Sequence, residues 1–283
     1  MTRRTFLLVV VFGAMGLAAE PPRRIVSLIP AVTEMIFAMG AGDRVVGVSA
    51  YDRYPPQVDR IARVGGLTDP NVERIFSLKP DLVIVYDTQE DLKQRLDRAA
   101  IPFYRYEHRA LPDIAATMRS VGARIGAAER ANQLATGMEA DLDAIRRTVS
   151  GEPRFKTLLV FGRDPGSLRN VYASGGYGFL HDMLEAAGGD DVFADTKQQS
   201  VQASTEMILA RRPEVIIELH YGDSVKSTEL RREAAVWDAL PSIPAVRNHR
   251  VYLLVGDEFV VPGPRVVNAT RTLARMLHPS VFR

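Results

Sequence analysis

The 283-residue sequence has no cysteine, so no disulfide framework holds it together and no lipid-bearing cysteine follows its N-terminal segment. Charge of one sign is missing too. There are 36 basic and 34 acidic residues, a formal net charge of +2. Removing Arg3 and Arg4 with a leader brings this to 34 − 34 = 0, which takes away the electrostatic motive for a nucleic-acid partner. Beyond the first twenty residues no apolar run approaches membrane-spanning length. Three spacings that carry chemistry are also missing: a His-Glu-x-x-His zinc helix, a Gly-Lys phosphate loop and a Gly-x-Ser-x-Gly nucleophile elbow. These absences disfavour an enzyme.

The N-terminus reads as an export leader. Thr2-Arg3-Arg4 precedes an apolar run from Phe6 to Leu17, and small residues follow at Ala18 and Ala19. The arginine pair followed by Phe6-Leu7 resembles a twin-arginine signal; a general secretory signal with two arginines is the alternative. Cleavage near residue 19 and release into a periplasm without a lipid anchor are expected.

Two stretches share one grammar. Glu73 begins a short helix that stops at Pro80 and is followed by the apolar strand Leu82-Val83-Ile84-Val85-Tyr86. Glu206 begins another that stops at Pro213, before Val215-Ile216-Ile217-Glu218-Leu219. In both, helical spacing of apolar residues gives a buried face, proline forbids continuation, and a β-branched run makes a buried strand. Ile25–Ile29 and Thr157–Phe161 each open a half, and each half runs on to a helix closed by glycine, at Gly40 and at Gly188-Gly189. Between the halves, Ala131, Leu134, Ala135, Met138, Leu142, Ile145 and Val149 recur at spacings of three and four. This predicts one helix over residues 128–150, about 35 Å long at about 1.5 Å per residue. It either bridges two lobes as a strut or packs wholly on one.

The predicted fold class is therefore α/β, with two Rossmann-like lobes joined by one long helix and a ligand cleft between them. The expected division is a leader over 1–19, an N-terminal lobe over 20–127, the connecting helix over 128–150 and a C-terminal lobe over 151–283. A rigid connecting helix allows only slight opening and closing.

This order of elements resembles the binding proteins of cobalamin and iron-complex ABC importers, the helical-backbone metal receptors. The resemblance is carried by the two Glu-to-Pro-to-strand segments and by Trp237-Asp238-Ala239-Leu240-Pro241 followed by Ala245 to Tyr252. Cobalamin binders are the nearest in look, through Val46 to Gln57 and Asn71-Val72-Glu73-Arg74-Ile75. The resemblance implies a non-enzymatic, monomeric carrier with no resident cofactor, no metal of its own and no catalytic residue. A metal chelate is its ligand and a permease with its ATPase are its partners. A ferric siderophore or haem is the alternative cargo, and an exported α/β enzyme or chelatase on this scaffold the alternative class.

The same resemblance casts Glu73 and Glu206 as the docking carboxylates, one per lobe, that meet permease arginines. Read alone, each simply complements a helix dipole in a first turn. Tyr51, Tyr54, Tyr86, Phe161 and Phe259 fall where strands end, so they either wall a cleft or plug the core under loops. Asp257 matches a ligand-facing position, or is a turn residue beside Gly256. Tyr172 and Tyr177 flank a glycine-rich turn that also reaches toward the cleft. Leu67, Tyr86 and Ser200 stand where cobalamin binders carry tryptophan, and Val261 where a basic residue is expected. Tyr86, His108 and His220 are the candidates for an axial bond to a haem-like cargo, against an ordinary surface or loop role.

Overall fold

The computed structural model describes residues 20–107, 109–222 and 227–282. The leader and His108 lie outside them. The first half comprises β1 (Ile25–Ser27), α1 (Pro30–Ala38), β2 (Val45–Val48), β3 (Ala62–Arg63), α2 (Val72–Ser77), β4 (Leu82–Tyr86), α3 (Glu90–Arg98), β5 (Phe103–Tyr106) and α4 (Leu111–Arg124). Then comes α5 (Ala128–Val149). The second half comprises β6 (Phe155–Gly162), β7 (Val171–Ser174), α6 (Phe179–Ala186), β8 (Gly189–Asp191), β9 (Ser200–Ala203), α7 (Thr205–Arg211) and β10 (Val215–His220). It closes with α8 (Ser227–Ala234), α9 (Pro244–Arg247), β11 (Val251–Val255) and α10 (Val266–Leu277).

The repeated grammar produces repeated structure. The Asn71 side chain accepts from the Arg74 N–H to start α2, and the Ser204 side chain accepts from the Met207 N–H to start α7. Each short helix feeds a strand, β4 or β10, that pairs in parallel with the strand opening its half. Glycine closes α1, since Gly40 has φ +79° and so takes a conformation that a side chain disfavours.

The N-terminal sheet is parallel throughout, in the order β3-β2-β1-β4-β5. The C-terminal sheet runs β11-β10-β6-β7-β9, with β8 beside β6. Its plan is the same with one departure: β7 lies antiparallel to β6 and to β9. The reason is the link. β1 reaches β2 through α1, whereas only the turn around Pro165-Gly166 joins β6 to β7, too short to cross over to a parallel strand.

The helix α5 spans 22 residues, about 33 Å at the usual rise. Ala131, Ala135, Met138, Leu142, Ile145 and Val149 are buried on one stripe; Leu134 is half-buried. That stripe packs on α4 of the first half and on α6 and α10 of the second, so the helix bridges both lobes. One continuous apolar core runs from Ile25 and Met35 through Met138 and Leu142 to Leu273, while a smaller core lies on the far side of each sheet. A large shared apolar core opposes free relative motion of two lobes.

Candidate functional site

In both sheets the chain order reverses at the opening strand. The N-terminal lobe builds outward from β1 to β2 and β3, then restarts on its other side at β4. The C-terminal lobe does the same around β6 and β10. Such reversals leave a crevice at the carboxyl ends of the two middle strands, the usual ligand position in open α/β sheets. Tyr86 ends β4 at one crevice; Phe161 in β6, His220 at the end of β10 and Tyr221 just after it stand at the other.

Across the opening the lobes touch. The Tyr221 hydroxyl donates to the Tyr51 carbonyl at 2.5 Å, and the Arg53 guanidinium lies 5.1 Å from the centre of the Tyr221 ring. Tyr51 and Tyr221 are 55% and 41% exposed, far more than aromatic rings that only fill a core. Tyr54, 44% exposed, turns aside so that its ring lies beneath Arg265, 4.1 Å from the guanidinium carbon. Tyr51 and Tyr221 thus offer exposed ring surface where the lobes meet.

Tyr86 is half-buried, edge-on to Tyr106 with ring centres 5.9 Å apart, and burial pushes its phenol up to about 12. Its hydroxyl therefore stays protonated at neutral pH. Gln89 fixes the loop beside it: its Oε1 accepts from the Tyr86 N–H at 3.0 Å, and its Nε2 donates to the Leu67 carbonyl at 3.0 Å. The loop folds tightly at Gly65, where φ is +84° and a Cβ would lie 2.1 Å from the Asp69 carbonyl oxygen. Leu67 is left exposed on its crest.

On the C-terminal side Asp257 is buried, and its Oδ1 accepts from the Gly222 N–H at 2.9 Å. It holds the backbone at Gly222, next to Tyr221. Phe259 is only 5% exposed and belongs to the core beneath the crevice; Val261 is buried with it. Phe161 is half-buried and lines two cavities. The first, about 250 Å³, has charged side chains in its wall: Glu218 sits between Arg163 Nε and His220 Nε2, each 2.9 Å from its Oε1, and accepts from Trp237 Nε1 at 3.0 Å. Burial pushes the Glu218 carboxyl up, but His220, Trp237 and Arg163 outweigh it and leave the group below the ordinary value. The second cavity, about 270 Å³, is apolar and carries Tyr177 and Ser200. Tyr172 and Tyr177 are both exposed.

A further cavity, about 640 Å³, is set to one side between the starts of α2 and α3, with Leu67, Glu73, Gln89 and Glu90 in its wall. It lacks the ring surface of the crevice. Glu73 and Glu206 occupy equivalent places, exposed in the first turns of α2 and α7. The Ser204 hydroxyl and the backbone N–H of Glu206 hold the Glu206 carboxyl below its ordinary value, so it presents a full negative charge at neutral pH.

The closest approach to a hydrolase constellation is out of order. Ser174 Oγ donates to Asp191 Oδ2 at 2.7 Å, and His181 Nδ1 meets the same oxygen at 3.1 Å. The carboxylate stands between hydroxyl and imidazole, whereas activating the hydroxyl requires the imidazole in the middle. Among the described residues no three of His, Cys, Asp and Glu converge as a metal site.

Sequence reading missed Tyr221, Arg53 and Gln89. For Tyr221 a signal exists: it lies two residues past Leu219, the counterpart of Tyr86 in the repeated grammar, and strand side chains return to the same face every second residue.

A model of the periplasmic binding protein family matches residues 25–257. The chain belongs to that family. It is 32% identical over 256 residues to the vitamin B12-binding protein of Salmonella typhimurium, covering 90% of each. It is 30% identical over 272 residues to the uncharacterized ABC transporter substrate-binding lipoprotein YvrC of Bacillus subtilis, covering 93% of this chain and 82% of that one. Among solved structures, the periplasmic vitamin B12-binding protein BtuF of Vibrio cholerae superposes with a TM-score of 0.77 at 26% identity, covering 92% of this chain and 98% of that one. The two-lobed family fold is shared with the periplasmic heme-binding protein RhuT from Roseiflexus sp. RS-1, at a TM-score of 0.76 and 25% identity over 92% of this chain and 99% of that one.

Proposed function

We propose that this protein is the substrate-capturing component of an ABC importer and that its cargo is a metal chelate, a corrinoid before others. One observation carries the reading: two exposed tyrosines, Tyr51 of one lobe and Tyr221 of the other, meet beside the strand-end crevices. Wide rings suit the face and rim of a flat macrocycle, and their hydroxyls suit its polar fringe. The vitamin B12-binding relatives support corrinoid over other chelates.

In this reading Tyr51, Tyr54, Tyr86 and Phe161 contact the cargo. Asp257 orders the Gly222 turn and accepts hydrogen bonds from amide arms; Phe259 braces the crevice from below. The protein carries no resident cofactor and works as a monomer. It acts in the periplasm after loss of its leader, with no lipid on it. Glu73 and Glu206 dock, one per lobe, on arginines of the permease, whose ATPase drives release. The second reading is a haem or ferric-siderophore cargo. His220 favours haem, because Glu218 orients its ring at the crevice, as a carboxylate orients a metal-binding imidazole. An exported enzyme on this scaffold ranks last, since the Ser174, Asp191 and His181 order does not activate a nucleophile.

The test is uptake of labelled cyanocobalamin by the native host with and without this gene. Loss of uptake on deletion, restored by the wild-type gene, is expected. Undiminished corrinoid uptake together with lost haem or siderophore uptake would assign the cargo to the second reading.

A further inference from the structure

We infer that Asp182 is a positioning residue, a pin between the lobes that sets the angle at which the cleft walls face the cargo. The inference rests on the carrier reading above, since the angle matters only if capture occurs between the lobes.

The start of α4 creates the need for such a residue. The first N–H groups of a helix have no partner within it, and a side-chain oxygen just before the first turn usually answers one of them. Ala110 holds that place in α4 and offers no oxygen. Asp113 turns back from the first turn, and its Oδ2 accepts from the Ala110 N–H at 3.0 Å. The next donor is answered from the other half of the chain: the Leu111 N–H donates to Asp182 Oδ2 at 2.9 Å, across 71 residues. Leu111 is only 1% exposed, so water is a poor substitute and losing the acceptor is costly.

The same carboxylate serves its own helix. Asp182 lies in the first turn of α6, where its backbone N–H donates to the Gly178 carbonyl at 3.0 Å. The positive ends of two helices, α4 of one lobe and α6 of the other, therefore meet a single negative charge that favours both. The two helices pack on each other and on α5, which sets this bond beside the connecting helix.

The polar bonds between the lobes then fall into two kinds. The Leu111–Asp182 bond and the Arg265–Glu34 pair, 2.6 Å apart, are partly buried and join elements of one shared core. The Tyr221–Tyr51 bond is exposed. An entering guest can displace the exposed bond while the partly buried ones stay made, so the lobes keep their angle as the mouth opens.

The chain has no cysteine, so a pair can be introduced for nitroxide labels without removing any. Gln94→Cys on α3 and Ala210→Cys on α7 mark the two lobes at exposed positions. In the mature protein, pulsed electron spin resonance should give one narrow distance distribution that cyanocobalamin leaves in place. Asp182→Ala should broaden it in the cargo-free protein, and Asp182→Asn, which keeps an oxygen for the Leu111 N–H, should restore it. The fraction of Asp182→Ala molecules left at the wild-type distance should equal the factor by which cyanocobalamin affinity falls, because only those molecules are ready to bind. A second pair within the N-terminal lobe, Gln94→Cys with Ser120→Cys on α4, should keep its distance throughout. Asp182→Ser, whose hydroxyl suits a first turn but reaches about one bond less far, gives the same readings if Asp182→Ala does not fold. An unchanged inter-lobe distribution in the variant, or equal broadening of both label pairs, overturns the pin. If cyanocobalamin does not bind the wild type, the corrinoid reading falls, and the distances measured without cargo still decide the role of Asp182.

Discussion

Arg265, just before α10 in the C-terminal half, grips Glu34 on α1 of the N-terminal half, with Nη2 to Oε1 at 2.6 Å and Nε to Oε2 at 3.0 Å. The same guanidinium reaches Glu258 at 3.1 Å and lies over the Tyr54 ring. Glu34 is 4% exposed, and burial pushes its carboxyl above the ordinary value despite the arginine. This clasp ties α1 and the Tyr54 ring of one lobe to the start of α10 in the other.

Removing one partner of a buried pair strands the other. Arg265→Ala should destabilise the protein by about 3–5 kcal/mol at pH 8, where Glu34 is left charged and buried. At pH 5 the loss should shrink, because Glu34 takes up a proton. Urea denaturation at both pH values measures this. An equal loss for the apolar double variant Glu34→Leu/Arg265→Met would show that lost packing, rather than stranded charge, explains the effect.

Asp52 gives a second pH signature. Burial raises its carboxyl above the ordinary 3.8 against the pull of Ser49 and Arg63, and its Oδ1 has no hydrogen-bond partner in the described structure. The folded state therefore holds this proton more tightly than the unfolded chain does. The resulting stability is whole below about pH 4 and is lost as pH rises through the raised folded value. Asp52→Asn has no proton to lose, so its melting temperature should gain on the wild type as pH rises above about 4 and through the raised folded value. A difference that stays constant over that range contradicts the assignment.

The Tyr221 hydroxyl bond to Tyr51 closes part of the opening that a wide cargo must occupy. Tyr221→Phe keeps the ring and removes the bond, so cyanocobalamin should bind up to about tenfold more tightly, the worth of one partly exposed hydrogen bond. Tyr221→Ala loses the ring as well and should bind more weakly than the wild type. Calorimetry on the pair reads both signs, and weakening by Tyr221→Phe would mean that the hydroxyl serves the cargo instead.

Glu73→Arg together with Glu206→Arg reverses two exposed charges in the first turns of α2 and α7. Binding of cyanocobalamin should stay unchanged while its uptake by cells falls to background. Full uptake by the double variant would remove the docking role.

How much of this was legible in the sequence follows from how local each signal is. The α2–β4 and α7–β10 repeats and the stripe on α5 are written in apolar spacings within about twenty residues, and the structure follows them. The reversal of β7 is also local in cause, lying in the brief Pro165-Gly166 link. The Arg265–Glu34 clasp has no periodicity and joins residues 231 apart, so only the folded chain reveals it. Aromatic residues at strand ends are ambiguous by nature: Tyr51 stays open at the rim and Phe259 sinks into the core, and neighbouring sequence does not separate the two. Asp257 beside Gly256 suggests either a ligand-facing carboxylate or a surface turn residue; the structure buries it and bonds it to the Gly222 N–H, a contact 35 residues away that no local pattern announces.

The most direct measurement is calorimetric titration of the purified mature protein with cyanocobalamin, haemin and a ferric siderophore in parallel. Saturable one-to-one binding of cyanocobalamin, tighter than either competitor, is the predicted result. Tight binding of haemin or the siderophore with no heat from cyanocobalamin would contradict the corrinoid assignment.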